Sequence, residues 1–168
     1  MDRTRTLMTL ASLLAGCVAA PHDEAPSRGA GASERSTPAP VGKPEFVSAT
    51  AADAIEAVVR EAASAAAADS RRLVVYVGAT WCEPCTRFHE AVERGDLDAD
   101  LAGVRFLEFD ADLHTPALTA SGFGGRLIPR FAVPGVDGRG TDAKIEGGTK
   151  GDGAVAEIMA RLRPLLAT

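Results

Sequence analysis

The 168-residue chain has little of what several broad functional classes require. Its net charge of −5 and its lack of any basic cluster argue against nucleic-acid binding as the main task. It has no GxxxxGK motif with which to cradle a phosphate. Its three histidines are scattered and offer few ligands for a zinc site, which needs about four. What the chain does have is enough apolar sequence for one domain, and three cysteines.

The first residues have the organisation of an export signal. Arg3 and Arg5 supply positive charge, and an apolar run of about ten residues follows, which is too short to span a bilayer. The run ends in Leu14-Ala15-Gly16-Cys17, which resembles the lipobox of bacterial lipoproteins. The resemblance implies that residues 1–16 are a lipoprotein signal peptide and that Cys17 is lipidated. An ordinary signal peptide with a chance cysteine is the alternative.

A lipidated Cys17 predicts the location of the mature protein. It would be anchored on the periplasmic or cell-surface side of a bacterial membrane, where disulfides persist. Val18 takes the place of an aspartate, which in the enterobacterial pattern favours the outer membrane over the inner. The remainder of residues 17–44 is rich in Pro, Gly, Ala and Ser and almost free of large apolar residues, which predicts a disordered linker.

Residues 45–168 carry the alternating patterns of one α/β domain. The segments EFVS, RLVVYVG and VRFLEFDAD are predicted strands, and two further strands surround the Gly/Asp turn of PRFAVPGVDGRGTDAKIEGG. Helical periodicity lies between and after them, giving the order β-α-β-α-β-α-β-β-α. The first half requires parallel crossover connections, and the last two strands form an antiparallel hairpin. We therefore expect a mixed central sheet with helices on both faces.

Prolines and caps locate two of the predicted helix ends. Thr115 is expected to cap the third helix, with Pro116 in its first turn. Pro164 is expected to fray or kink the last turn of the final helix.

The segment ATWCEPCTRF holds the other two cysteines, Cys82 and Cys85, directly after a predicted strand. Three interpretations are open for this pair: a structural disulfide, half of a metal site, or a redox-active dithiol. Trp81-Cys82-Glu83-Pro84-Cys85 and the element order resemble the thioredoxin fold and its W-C-x-P-C motif. Ile128-Pro129 matches the position of that family's cis-proline loop. The stretch from Cys85 to Asp112 is similar in texture to the C-terminal domain of DsbD-type periplasmic disulfide reductases.

The resemblance implies a thioredoxin fold over residues 45–168 and a redox site that needs no cofactor. Cys82, at the start of a helix, gains thiolate character from unpaired amides and the helix dipole, and attacks a substrate disulfide. Cys85, one turn further on and more buried, then resolves the mixed disulfide. Trp81, Glu83 and Pro84 are expected to tune the pair, and Ile128 and Pro129 to bind an extended substrate segment.

Two charged residues near the motif affect these expectations. A Glu83 carboxylate beside the sulfurs disfavours the thiolate, which predicts a reducing or intermediate potential. Arg130 either attracts acidic substrates and favours the thiolate, or is simply solvated. His89, one turn after Cys85, is either a modulator of the pair or a solvated helix residue.

The sequence also departs from thioredoxin. The position of its buried aspartate, six residues before the first cysteine, is Tyr76 here, and the partner lysine falls near Phe106. The proton-relay pair of cytosolic thioredoxin is therefore missing. Asp110 and Asp112 are predicted to end a strand, with proton relay to Cys85 as the alternative.

The sequence thus predicts a membrane-anchored protein-disulfide oxidoreductase. Its partners would be protein disulfide substrates and an upstream thiol-disulfide electron donor, with no nucleic acid. A cytochrome c maturation thiol reductase is the second enzymatic reading. A tethered thioredoxin-fold binding or chaperone module without redox turnover is the alternative from another class.

Overall fold

The computed structural model describes residues 42–49 and 54–167. The predicted signal peptide, Cys17 and the linker up to residue 41 lie outside the described residues. Within the described ranges, no helix is both long and apolar enough to cross a membrane.

The elements follow one another in the predicted order. The strands are β1 (Glu45–Ser48), β2 (Arg72–Gly78), β3 (Val104–Asp110), β4 (Arg130–Pro134) and β5 (Gly140–Glu146). The helices are α1 (Ile55–Ala68), α2 (Glu83–Glu93), α3 (Ala111–Ala120) and α4 (Ala154–Leu166).

The five strands form one mixed sheet in the order β1-β3-β2-β4-β5. β3 pairs in parallel with both β1 and β2, while β4 runs antiparallel to both β2 and β5. One face of the sheet carries α2 and α4, and the other carries α1 and α3. This is the thioredoxin fold, and the predicted fold class is confirmed.

β2 is the buried centre of the sheet, and its side chains alternate between the two cores. Val74 and Tyr76 join the core under α2 and α4, whereas Val75 and Val77 join the core under α1 and α3. This alternation is the period-two geometry of a strand with both faces covered. The continuous apolar run in the sequence therefore predicts this strand correctly.

The predicted start of α3 is wrong. The helix begins at Ala111, and Asp110 caps it by accepting a hydrogen bond from the N–H of Asp112 at 2.7 Å. Thr115 lies within the helix, where its hydroxyl donates to the Ala111 carbonyl. Pro116 is interior and exposed, so water can satisfy the carbonyl that lacks its usual N–H partner.

Pro164 also lies within a helix, because α4 continues to Leu166. The N–H of Ala167 donates to the carbonyls of Arg163 at 3.1 Å and Pro164 at 3.2 Å, so hydrogen bonding continues past the proline. The apolar face of α4 packs as expected, with Ile158, Met159 and Leu162 fully buried.

Candidate redox site

The two cysteines of the motif lie at the start of α2 and form a disulfide. Cys82 occupies the N-cap position with an extended backbone, and Cys85 lies in the first helical turn. Their Cα atoms are 5.2 Å apart. Cys82 is 5% exposed and Cys85 is 2% exposed, so both residues belong largely to the core.

The start of α2 supplies the electrostatic environment of Cys82. The N–H of Thr86 donates to the Cys82 carbonyl at 3.0 Å, so the helical hydrogen bonding starts at this cysteine. The amides of the first turn have no intrahelical acceptor and point toward the motif. With the dipole of the helix, they favour negative charge at Cys82 when the disulfide is reduced. Pro84 fits in this turn because its missing N–H would have no helical partner.

Trp81 lies on the surface beside the cysteines. Its side chain is 68% exposed, and its indole N–H donates to the Asp112 carboxylate at 2.8 Å. This bond joins the motif to the first turn of α3. Asp112 therefore orients the tryptophan, and Asp110 caps α3, as described above.

Glu83 is held in an ion pair that sequence reasoning did not include. Its Oε1 accepts from Arg87 Nε at 2.9 Å and from the Gly151 N–H at 3.0 Å. These hydrogen bonds, the one from Arg87 above all, hold the pKa of the Glu83 carboxyl below its ordinary value. The Arg87 charge therefore offsets much of the field that an isolated Glu83 carboxylate would exert on the sulfurs.

The Ile128–Pro129 peptide bond is cis. The Pro129 carbonyl accepts a hydrogen bond from the Gly147 N–H at 2.8 Å, which ties this loop to the end of β5. Gly147 has φ of +76°, a conformation that glycine adopts without strain. A Cβ on the next residue, Gly148, would lie 3.2 Å from Pro84 Cβ. The proline loop, the end of β5 and the cysteine motif thus form one contiguous region.

The structure contradicts two expectations for Arg130, that it is solvated and that it meets acidic substrates. Arg130 is only 4% exposed, so it is not a solvated arginine. Its guanidinium donates to the carbonyls of Phe123 at 2.9 Å and Leu127 at 3.1 Å, and lies 3.6 Å from the Glu146 carboxylate. These bonds turn the charge inward, where it braces the loop before Pro129 instead of meeting acidic substrates.

A cavity of about 470 Å³ lies behind Cys85. Tyr76 and Glu108, which are register partners on β2 and β3, both line it. His89 lines it too, and its Nε2 lies 2.8 Å from Glu108 Oε1, so His89 is not simply solvated. The sequence analysis missed Glu108. The sequence does place Glu108 in the same alternating register of β3 as Val104 and Phe106, and a charged residue at such an inward-facing position could have indicated it.

Comparison with protein-family profiles finds no match for the chain. Comparison with curated protein sequences finds no match either. Among the described residues, no group of three or more His, Cys, Asp or Glu side chains is arranged to hold a metal ion. The fold and the site together define a thioredoxin-fold protein with a disulfide at the start of its second helix.

Replacing Arg130 by methionine should destabilise the fold. It leaves two carbonyls and the Glu146 carboxylate without their cation, at a cost of about 3 kcal/mol in the free energy of unfolding. Urea denaturation of the two proteins measures the difference. Arg126→Met, on the exposed loop that precedes β4, is the control and should change stability by about 0.5 kcal/mol or less. An equal effect of both changes would contradict the bracing role.

The Arg130→Met effect should also depend on pH. Partial burial opposes ionisation of Glu146, but hydrogen bonds from the Leu127 and Arg126 amides and the Arg130 charge lower its pKa below the ordinary value. A lowered pKa stabilises the fold above the unfolded-state pKa, and this contribution is lost as the pH falls through the folded-state value. The difference between wild type and variant should therefore shrink between about pH 5 and pH 3.

The two members of the Glu83–Arg87 pair should shift the pKa of the Cys82 thiol in opposite directions. In a Cys85→Ser background, Arg87→Gln removes the compensating cation and should raise the pKa of Cys82. Glu83→Gln leaves the cation and should lower it, and each shift should be about one unit or less because the side chains of the pair are partly exposed. The pH titration of the thiolate's ultraviolet absorbance measures both. Shifts of the same sign would show that the pair does not act through its charges.

Proposed function

We propose that this protein is a membrane-anchored, extracytoplasmic thiol-disulfide oxidoreductase that reduces protein disulfides through Cys82 and Cys85. The observation that carries the proposal is the disulfide at the N-terminus of α2, next to a loop with a cis-proline. A disulfide that only cross-linked the fold would gain little here, because it closes a loop with a separation of three residues. The disulfide is therefore better explained by a redox role than by a stabilising one.

The helix start gives the two sulfurs different roles. In the reduced protein, the Cys82 thiolate attacks a substrate disulfide, forms a mixed disulfide and releases the first substrate sulfur as a thiol. Cys85 then attacks Cys82 Sγ, the Cys82–Cys85 bond forms, and the second substrate sulfur leaves. Two electrons pass from the dithiol to the substrate, and an upstream dithiol must return them.

The substrate would lie across the surface between Trp81 and the proline loop. Trp81 and Leu127 are both exposed large side chains, at 68% and 58%, and they offer apolar contact to a partner segment. The loop at Ile128 and Pro129 offers the backbone for an added strand. Because Arg130 is buried, recognition here rests on shape, apolar contact and backbone pairing, and is not selective for acidic sequences.

The location of the reaction rests on the sequence. Lipidation of Cys17 would hold the domain at a bacterial membrane, with the outer membrane favoured over the inner. Protein disulfides, the proposed substrates, persist on that side of the cell. A linker between Cys17 and Gly42 would let the site reach partners beyond the membrane surface, because residues 42–44 pack on the domain.

Reduction of insulin by dithiothreitol should be accelerated by the protein. Cys82→Ser should abolish the acceleration, because no nucleophile remains. Cys85→Ser should stop turnover and accumulate mixed disulfides with natural substrates. Cys17→Ser, which removes the third cysteine, should retain the full rate and lose membrane association. A rate equal to background in the wild type would favour a binding module.

The reduction potential of the Cys82–Cys85 pair should lie below about −180 mV. A strong oxidant needs a very stable thiolate, and the Glu83 carboxylate beside the sulfurs, although partly offset by Arg87, opposes that stability. Equilibration with glutathione buffers of known ratio measures it. A value near −120 mV would refute the reductive direction.

A further inference from the structure

The cavity behind Cys85 brings this cysteine together with polar side chains from the sheet and from α2 and α3. Its volume of about 470 Å³ is enough for several water molecules. It lies between the carboxyl ends of β2 and β3 and the first turns of α2, and it opens toward solvent. Its wall includes a resolving cysteine and several groups that can exchange protons. These are Tyr76, Cys85, His89, Glu108, Asp110 and His114.

His89 and Glu108 form the best-placed proton-exchanging pair in this wall. His89 is one helical turn after Cys85, so the two side chains lie on the same side of α2. Its Nε2 lies 2.8 Å from Glu108 Oε1, and its ring stacks on Phe46 with centroids 3.8 Å apart. The stacking on Phe46 and the contact between His89 and Glu108 fix the orientation of both groups.

Tyr76 gives an independent indication that the cavity binds something polar. Its side chain is fully buried, and its hydroxyl has no hydrogen-bond partner among the described residues. A buried polar atom without a partner is costly, and a water in the cavity would satisfy it. The same water would have Cys85 and Glu108 as neighbours on the cavity wall.

We propose that the His89–Glu108 pair accepts the proton of Cys85, through water in this cavity, when Cys85 resolves the mixed disulfide. The inference rests on the proposed redox function. The Cys85 S–H proton passes to the pair, and the sulfur attacks Cys82 Sγ. The Cys82–Cys85 bond forms, and the bond from Cys82 to the substrate sulfur breaks. That sulfur leaves with the electron pair and takes its proton from solvent. The pair then releases its own proton.

The other groups on the cavity wall are less suited to this role. Burial, and then the nearby Glu108 charge, raise the pKa of the Tyr76 phenol above its ordinary value, so it stays protonated. Asp110 is occupied in capping α3 through its contact with the Asp112 N–H. His114 is engaged with the backbone of α3's cap, because its Nδ1 accepts a hydrogen bond from the Asp110 N–H at 3.1 Å.

The pair also has a route to bulk solvent. His89 and Glu108 border a second, more polar cavity as well, which Lys43, Glu45, Glu93 and Asp98 also line. Lys43 is paired with Asp98 at 2.7 Å, and Glu45 is paired with Arg105. Glu93 is exposed. The side chains of His89 and Glu108 are themselves 26% and 30% exposed, so a proton taken from Cys85 can leave on this side.

The resolving step can be measured apart from the first attack. The reduced protein is mixed with a chromophoric aromatic disulfide. One thiolate is released when Cys82 attacks, and a second is released when Cys85 displaces it. In Glu108→Gln we expect the second step to slow by about a hundredfold near neutral pH and to recover at alkaline pH, where Cys85 ionises unaided. The first step should stay within about twofold of wild type. His89→Gln, which keeps a group that can bond Glu108, should show the same pattern.

Glu93→Gln is the matched control, because it removes one carboxylate from the far cavity and should leave both steps unchanged. An unchanged second step in folded Glu108→Gln and His89→Gln would overturn the inference. The wild type alone provides a second test. Its resolving rate should persist well below the free cysteine pKa of about 8.5, and a tenfold loss per pH unit below that value would also overturn the inference. Absence of the first step in the wild type would instead refute the proposed redox function.

Discussion

The position of the disulfide depends on how one phenylalanine anchors its helix. Phe88 follows Cys85 by three residues and is fully buried, with its ring 4.9 Å from that of Phe131 and 5.7 Å from that of Phe106. Those two rings come from strands on opposite sides of β2, so α2 is held against the centre of the sheet. Phe46 and Tyr76 pack against the same rings, so the cluster holds five of the eight Phe, Tyr and Trp rings of the chain. The strand-to-helix turn that carries Cys82 follows from this packing.

Charged side chains around the disulfide form hydrogen bonds with backbone groups of neighbouring loops. Glu83 holds the loop at Gly151 while paired with Arg87, and Arg130 holds the carbonyls that precede the cis-proline. Each such charge both shapes the site and contributes an electrostatic field, and the two effects cannot be read from residue type alone. An acidic residue between two cysteines therefore has a weaker effect on the thiolate when a cation is bound to it than when it stands alone.

The central strands β2 and β3 were predictable from the sequence because they are runs of apolar residues, and β4 and β5 because they surround a Gly/Asp turn. The start of α3 was not, because Asp110 ends a strand and caps a helix at once, and no pattern separates the two roles. The hydrogen bonds of Arg130 to backbone carbonyls and the contact of Glu108 with His89 depend on tertiary packing. Such contacts follow from the packing of the sheet and helices, which local periodicity does not describe.

The Tyr76 side chain is fully buried in the core and stays neutral there. A lone carboxylate at that fully buried position would pay a large desolvation cost, whereas a phenol stays neutral there. The carboxylate of this region is instead Glu108, on the neighbouring strand, partly exposed and bonded to His89. Partial hydration and the histidine lower the cost of its charge. The arrangement keeps an ionisable group at the Cys85 cavity without burying an unpaired charge in the core.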